Sequence, residues 1–331
     1  MCRIKLNDLY FYFLAWMLIV LVVLGYVTGS FGFWVLFLVV ASFCSLHYLF
    51  DSVATKKKVS VEIFLILVCV LFSLASIRYS SLGGVFVALN FLTSAIFAKS
   101  LASRFRRNSV NHDEVILRIS QVSYYCFLFF LIYRFYDVGF NKYGANDIFA
   151  ESSRNMVSGV LIFLQCFYSA ARYFKDKKIV VFSPFLTLAV AVVCFGRSGI
   201  AVSFLIASCT VFFAISRFSM LSRFCFLAVG FSAIFYLGNS LWPFSVDLIE
   251  STNFTKGLES VRSDINYQYI SSMGIVELFF GSPYSLSPVL VFFDENPHNS
   301  FIHGHHFMGL GYLIFVCYLL VRLVSCIFKL A

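Results

Sequence analysis

The sequence predicts an all-α, polytopic integral membrane protein of about ten transmembrane helices with one long outer loop. Three observations predict it. Sixty per cent of the 331 residues are hydrophobic and 12% are charged, with a mean hydropathy of +0.88, whereas about a quarter of the residues in a soluble domain are charged. The apolar residues gather in runs of membrane length, about 20 residues each, and lipid admits such runs as helices that close their own backbone hydrogen bonds. The basic residues recur in alternate connections, as expected of a chain that retains Lys and Arg on the cytoplasmic side. Residues 1–331 read as a single membrane domain, with residues 242–306 as a long loop within it.

Taken in order, the spans fall at about 9–28, 31–50, 61–77, 82–99, 118–136, 156–173, 179–195, 198–216, 224–241 and 307–326. The first follows Arg3 and Lys5 in the manner of a signal sequence. It is too long for one and lacks a small-residue cleavage pattern, so it reads as an uncleaved span. Arg3 and Lys5, Lys56 to Lys58, Arg104, Arg106 and Arg107, Arg172, Lys175, Lys177 and Lys178, Arg217 and Arg223, and Lys329 all fall on one side of the ten-span count. Both termini are therefore expected in the cytoplasm. The net charge of +9 belongs to these loops, which face anionic lipid, and implies no nucleic-acid partner. Nine of the ten cysteines lie in or beside apolar runs and none forms a CxxC, so neither a disulfide framework nor a zinc site is implied.

The opposite face carries few basic residues, namely Arg78, Arg134, Lys142, Arg154, Arg197, Lys256 and Arg262. Two of its segments are longer than turns: residues 137–154 and the loop from Trp242 to His306. The loop holds Pro243, Pro283, Pro288 and Pro297, four of the five prolines, and cannot be a run of hidden spans. Within it Leu258, Val261, Ile265, Tyr269 and Met273 recur at helical spacing, which predicts an amphipathic helix lying along the outer membrane surface.

Arginines at helix ends on this face run against the charge bias, and a guanidinium offers planar, bidentate pairing to phosphate. Arg154 opens a span in Ser153-Arg154-Asn155, Arg197 sits in Gly196-Arg197-Ser198-Gly199, and Arg262 lies in the long loop. Each could instead snorkel to lipid head groups or pair with a local acid, Glu151 for Arg154 and Glu259 for Arg262. Four of the six histidines, His298, His303, His305 and His306, cluster between the loop and the last span. His298 is a candidate general base, since a neutral imidazole accepts a proton near pH 7; the alternative is a hydrogen bond that anchors the loop. His303, His305 and His306 with Asp294 and Glu295 raise a metal site, but their spacing matches no closed shell and the sequence has no DxD pair. The expectation is chemistry without a metal or other cofactor: fixed arginines neutralise a departing diphosphate, and a histidine deprotonates the attacking hydroxyl.

His298-Asn299, nine residues, then Gly309-Leu310-Gly311-Tyr312 resembles the His-[Asn/Ser/Gln]-x9-Gly-x-x-[Gly/Thr/Tyr] signature of the O-antigen polymerase and ligase superfamily, the Wzy-like and WaaL-like membrane glycosyltransferases. The layout is similar too, with many spans, a long late loop, and the signature at the start of a span. The segments around Arg154 and Arg197 also resemble the family. The likeness covers roughly the second half of the chain. It departs from the family in having Ala201 where a ligase Arg-x3-Leu pattern would place leucine, and in having one span after the signature where many relatives have more.

The resemblance implies a bacterial inner-membrane enzyme whose active site faces the periplasm. It would carry out inverting glycosyl transfer from an undecaprenyl-diphosphate-linked glycan to a hydroxyl. His298 would be the catalytic residue, Arg154, Arg197, Arg262 and Asn299 would bind substrate, and Gly309 would permit close helix packing. The implied partners are the lipid-linked oligosaccharide, membrane lipids and a chain-length regulator protein. The segments around Arg154 and Arg197 look more like polymerases, which extend O-antigen by moving the growing chain onto the next lipid-linked unit. A ligase, transferring the polymer to lipid A core, is the second reading. A transporter or flippase of the same lipid is the third, disfavoured by uninterrupted apolar runs with charges gathered at their ends.

Overall fold

The structure, a computed structural model, describes residues 6–54, 61–105, 110–139, 144–150, 154–194, 196–215, 219, 261–292 and 300–330. The fold is all-α, as the sequence predicts: the described residues form twelve α-helices and one 3-10 turn. Among the described residues five helices are long and apolar enough to cross a membrane, at Phe31–Phe50, Asp113–Val138, Asn155–Asp176, Ser198–Ile215 and Phe301–Arg322, and shorter apolar helices lie at Tyr12–Thr28, Gly84–Ser100 and Phe182–Val193. The chain is thus a multi-pass membrane protein. The expected span at 224–241 lies outside the described residues, and the other expected spans fall on helices. Five helices of spanning length do not reach the expected count of ten. The chain divides into two compact units, one of residues 1–37 and 104–257, the other of residues 38–103 and 258–331.

The first unit holds α1 (Leu6–Thr28), the start of α2 (Phe31–Ala54), α4 (Val110–Val138), α5 (Gly144–Asp147), α6 (Arg154–Asp176), α7 (Phe182–Val193) and α8 (Arg197–Ile215). Gly29, at φ 64°, ends α1 in the left-handed conformation, its N–H bonded to the Gly25 carbonyl at 3.0 Å. Beyond the turn, Trp34 meets Tyr26 edge-on at 4.9 Å, and Tyr26 stacks on Phe149 at 5.5 Å. Helix α4 packs along α6. Glu114, in the first turns of α4, pairs with Arg118 at 2.8 Å and with Lys175 in the last turn of α6. The two helices therefore run antiparallel, and Arg154 begins α6 at the end of the unit remote from Glu114. At that remote end Arg134 bonds Asp137 at 2.8 Å and the Asp147 carbonyl at 3.2 Å, fastening α5.

Between the two ends, the buried Tyr124 hydroxyl donates to the Ser183 carbonyl at 2.9 Å and lies 3.1 Å from Thr187 Oγ1, joining α4 to α7. Lipid tails are as apolar as side chains and give little hydrophobic drive between helices. Packing and such hydrogen bonds therefore hold the unit together.

The second unit holds the rest of α2, α3 (Val61–Phe105), α9 (Val261–Ser271), α10 (Ile275–Phe280), a 3-10 turn at Tyr284–Leu286, α11 (Pro288–Phe292) and α12 (Ser300–Leu330). Ser45 of α2 donates to the Thr93 carbonyl of α3 at 3.1 Å. The main chain of α3 is helical throughout, yet both of its halves meet the same level of α12. Gly311 sits against Cys69, while Phe91 packs on Tyr312 at 5.9 Å and Phe315 at 5.3 Å. In a straight helix Cys69 and Phe91 would stand about 33 Å apart. The axis of α3 therefore bends between them. The two arms and α12 close on a core of Cys69, Ala88, Met308 and Phe315.

Tyr124→Phe should lower stability by about 1 kcal/mol by leaving the Ser183 carbonyl and Thr187 short of a partner. Thermal unfolding of the detergent-solubilised protein measures this, and an unchanged midpoint would show that the hydroxyl contributes nothing to the joint.

Candidate functional site

Two regions carry the residues singled out by sequence, one in each unit. In the first unit Arg154 and Arg197 are the first residues of α6 and α8. These two helix starts come together. A Cβ placed on Gly196 would strike Asn155 Oδ1, and one on Gly199 would strike Ser158 Oγ and Cβ. Each contact advances by three residues along both helices, from Asn155 and Gly196 to Ser158 and Gly199. Helices α6 and α8 are therefore parallel neighbours with their N-termini side by side, although Arg154 and Arg197 are far apart in sequence.

The glycines are what allow this approach, as small residues do between membrane helices. Both termini present backbone N–H groups with no intrahelical partner and the positive end of a helix dipole. Both lie at the end of the unit remote from Glu114 and Lys175. Asn155 Oδ1 is buried there without a hydrogen-bond partner among the described groups. Sequence reasoning passed over Asn155 as a site residue, although it adjoins Arg154. The Arg154 and Arg197 side chains lie outside the described residues, as does that of Arg262, whose main chain belongs to the first turn of α9 in the second unit.

In the second unit His298 and Asn299 lie outside the described residues, and α12 begins at Ser300. The three histidines beyond them are structural. His305 Nε2 lies 2.9 Å from the Leu278 carbonyl, an acceptor only, so Nε2 carries the hydrogen. In the neutral ring Nδ1 then accepts from the Tyr269 hydroxyl at 3.0 Å. His306 Nδ1–H donates to the Ser282 carbonyl at 2.7 Å, and its ring stacks on Tyr284 at 3.9 Å. His303 Nδ1 is 2.9 Å from the Tyr284 hydroxyl. Tyr269 of the predicted stripe, with Tyr284 and Ser282, which sequence reasoning left unassigned, thus holds the leading turns of α12 to the loop. No group of three His, Cys, Asp or Glu is gathered for a metal among the described residues.

Helix α9 corrects one expectation. The helix forms, but Ile265 and Tyr269 are each 1% exposed in a core with Tyr284, Leu290 and Ile302, and Met273 packs against it. Their stripe faces protein and not the membrane surface. Periodicity finds an apolar face without saying what covers it.

Gly309, expected to permit close packing, does more. Its φ of 54° and ψ of −152° break α12 into a leading segment, Ser300–Met308, and a longer helix beyond. A Cβ there would strike the Phe279 carbonyl and the Phe280 Cα. The crossing of α10 over α12 occupies the space a side chain would need, and Gly311 close by receives Cys69 and Phe72. Gly281, at φ 91°, passes against the His305 and His306 carbonyls in the same way.

Comparison with protein-family models, with curated proteins and with solved structures finds no match.

Gly309→Ala should destabilise the second unit by at least about 1–3 kcal/mol, since it adds both a strained φ and a clash with backbone. Loss of folded protein in fluorescence-detected gel filtration reads this, and a wild-type profile would contradict the crossing. For α6 and α8, Gly199→Ala should be damaging alone and relieved by Ser158→Gly, which vacates the space. Equal behaviour of the single and double variants in the same assay would separate the two helix starts.

Proposed function

We propose that the protein is an O-antigen polymerase: a metal-independent membrane glycosyltransferase that moves the growing glycan from undecaprenyl diphosphate onto a hydroxyl of the next lipid-linked repeat unit at the periplasmic face. The observation that carries this reading is the pairing of the two arginine-bearing helix starts, α6 at Arg154 and α8 at Arg197, through Gly196 and Gly199. Two helix dipoles and the free N–H donors of two adjacent helix starts, each opening on an arginine, suit a diphosphate leaving group, whose negative charge grows as the glycosidic bond breaks. Asn155, with its unpartnered buried oxygen, can accept from a sugar hydroxyl beside them.

In the reaction, the acceptor hydroxyl attacks the anomeric carbon from the face opposite the diphosphate. A C–O bond forms, the bond to the diphosphate oxygen breaks, and the configuration inverts. His298 takes the hydroxyl proton, Arg154, Arg197 and Arg262 hold the diphosphate, and Asn299 contacts the substrate. Support for His298 comes from the chain just beyond it: the leading segment of α12 is fixed by His303, His305 and His306, and Ile302 and Ile265 share one core. Arg262 lies one turn before Ile265 on α9. The growing chain, its undecaprenyl carrier and a chain-length regulator are the proposed partners.

A deletion strain tests the polymerase: lipopolysaccharide capped with a single repeat unit is expected. Rough lipopolysaccharide with accumulated lipid-linked polymer would identify a ligase instead. His298→Ala should lower turnover by roughly 10²- to 10⁴-fold. Arg197→Lys, which keeps charge and loses the bidentate fork, should shorten the ladder; full-length ladders from both variants would refute the assigned roles.

A further inference from the structure

We infer that α10 lies within the acyl-chain region of the bilayer, in the leaflet remote from Arg322, and that its exposed face docks on lipid. Helix α10 is six residues long and does not span, yet its depth is fixed by what it touches. Phe279 and Phe280 pack on Gly309, and Phe280 meets Phe72 of α3 at 5.4 Å. Gly309 lies within the candidate span Phe301–Arg322, well before its charged end. The helical residues from Gly309 to Arg322 rise about 20 Å, and the hydrocarbon core is about 30 Å thick. With Arg322 at one boundary, about 10 Å of hydrocarbon still lies beyond Gly309. Phe280 is held at that depth.

The surface of α10 agrees with this placement. Ile275 is 79% exposed, and Val276, Leu278 and Phe279 are also exposed. On α12, Ile314, Leu319, Leu320 and Val321 are exposed in the span itself, so apolar side chains face outward both on the spanning helix and on α10. The depth of Gly309 in the candidate span, against which Phe279 and Phe280 pack, identifies the occupant as acyl chains. A water-facing patch of this kind on a soluble protein would mark a binding surface for another protein.

A non-spanning segment in lipid must also hide its backbone polar groups on the protein side. The Leu278 carbonyl, one of those left over at the end of so short a helix, is taken by His305 Nε2–H. At the other end the Glu277 carboxylate folds back over Gly274, against the positive end of its own helix. His305 thereby acquires a reason to sit in the last helix: it satisfies α10 where water cannot. This placement is independent of glycosyl transfer and concerns the membrane alone.

Photo-crosslinking in native membranes tests it on the full chain. A benzophenone amino acid is placed at Ile275 or Phe279, at Leu320 as a lipid-facing reference, and at Asp264, exposed on α9, as a polar one. After irradiation, intact-protein mass spectrometry should find a gain of one phospholipid mass at Ile275 and Phe279, as at Leu320, and none at Asp264. Adducts to a polypeptide at Ile275 and Phe279, or no lipid adduct there while Leu320 gives one, would overturn the inference. Because these side chains are exposed, the substitutions leave the packed face of α10 intact.

Discussion

The second unit depends on one steric condition, that no side chain occupies position 309. Only there can the backbone of α10 cross against α12, because a Cβ would overlap the Phe279 carbonyl and the Phe280 Cα. The same residue breaks the helix, which sets the leading segment Ser300–Met308 apart from the longer helix beyond. Other contacts build on that break: His305 reaches Leu278 and Tyr269, His306 reaches Ser282, and Phe72 of α3 meets Phe280. Glycine here is a requirement of conformation and of space together, since φ is positive and the neighbour is backbone.

Much of the helical frame was legible in the sequence because hydrocarbon imposes a single solution on long apolar runs. Residues 31–50, 118–136, 156–173 and 198–216 were expected as spans for that reason, and long helices cover them up to Ile215. What covers each helix was not legible. Ile265 and Tyr269 form an apolar stripe that suits lipid and protein equally, and only Tyr284, Leu290 and Ile302, distant in sequence, decide the matter. The same limit hid the roles of His303, His305 and His306, whose partners are backbone carbonyls and tyrosine hydroxyls that carry no sequence signal of their own.

The candidate site was legible in parts. Arg154 and Arg197 stood out because each opposes the charge bias of its face, but nothing in the linear order brings the two together. Their meeting depends on Gly196, Gly199 and Ser158, small residues at one-turn spacing that let two parallel helices touch. Such spacing is a readable signal, although it names no partner. For the histidine end, the resemblance marked Gly309 as a closely packed position, and neighbouring chain fills the space beside it.

The sharing of α12 between the two arms of α3 has a consequence for how the protein is made. Cys69 and Phe91 wait for contacts that residues 308–315 supply, and the intervening residues 104–257 belong to the other unit. During synthesis the first unit has its own helices in hand well before the second can close. The early arms of α3 must meanwhile stand in the membrane with the face meant for Met308, Gly311 and Phe315 open to lipid. Biogenesis is therefore out of order with respect to sequence, and α12 completes a core begun by α3.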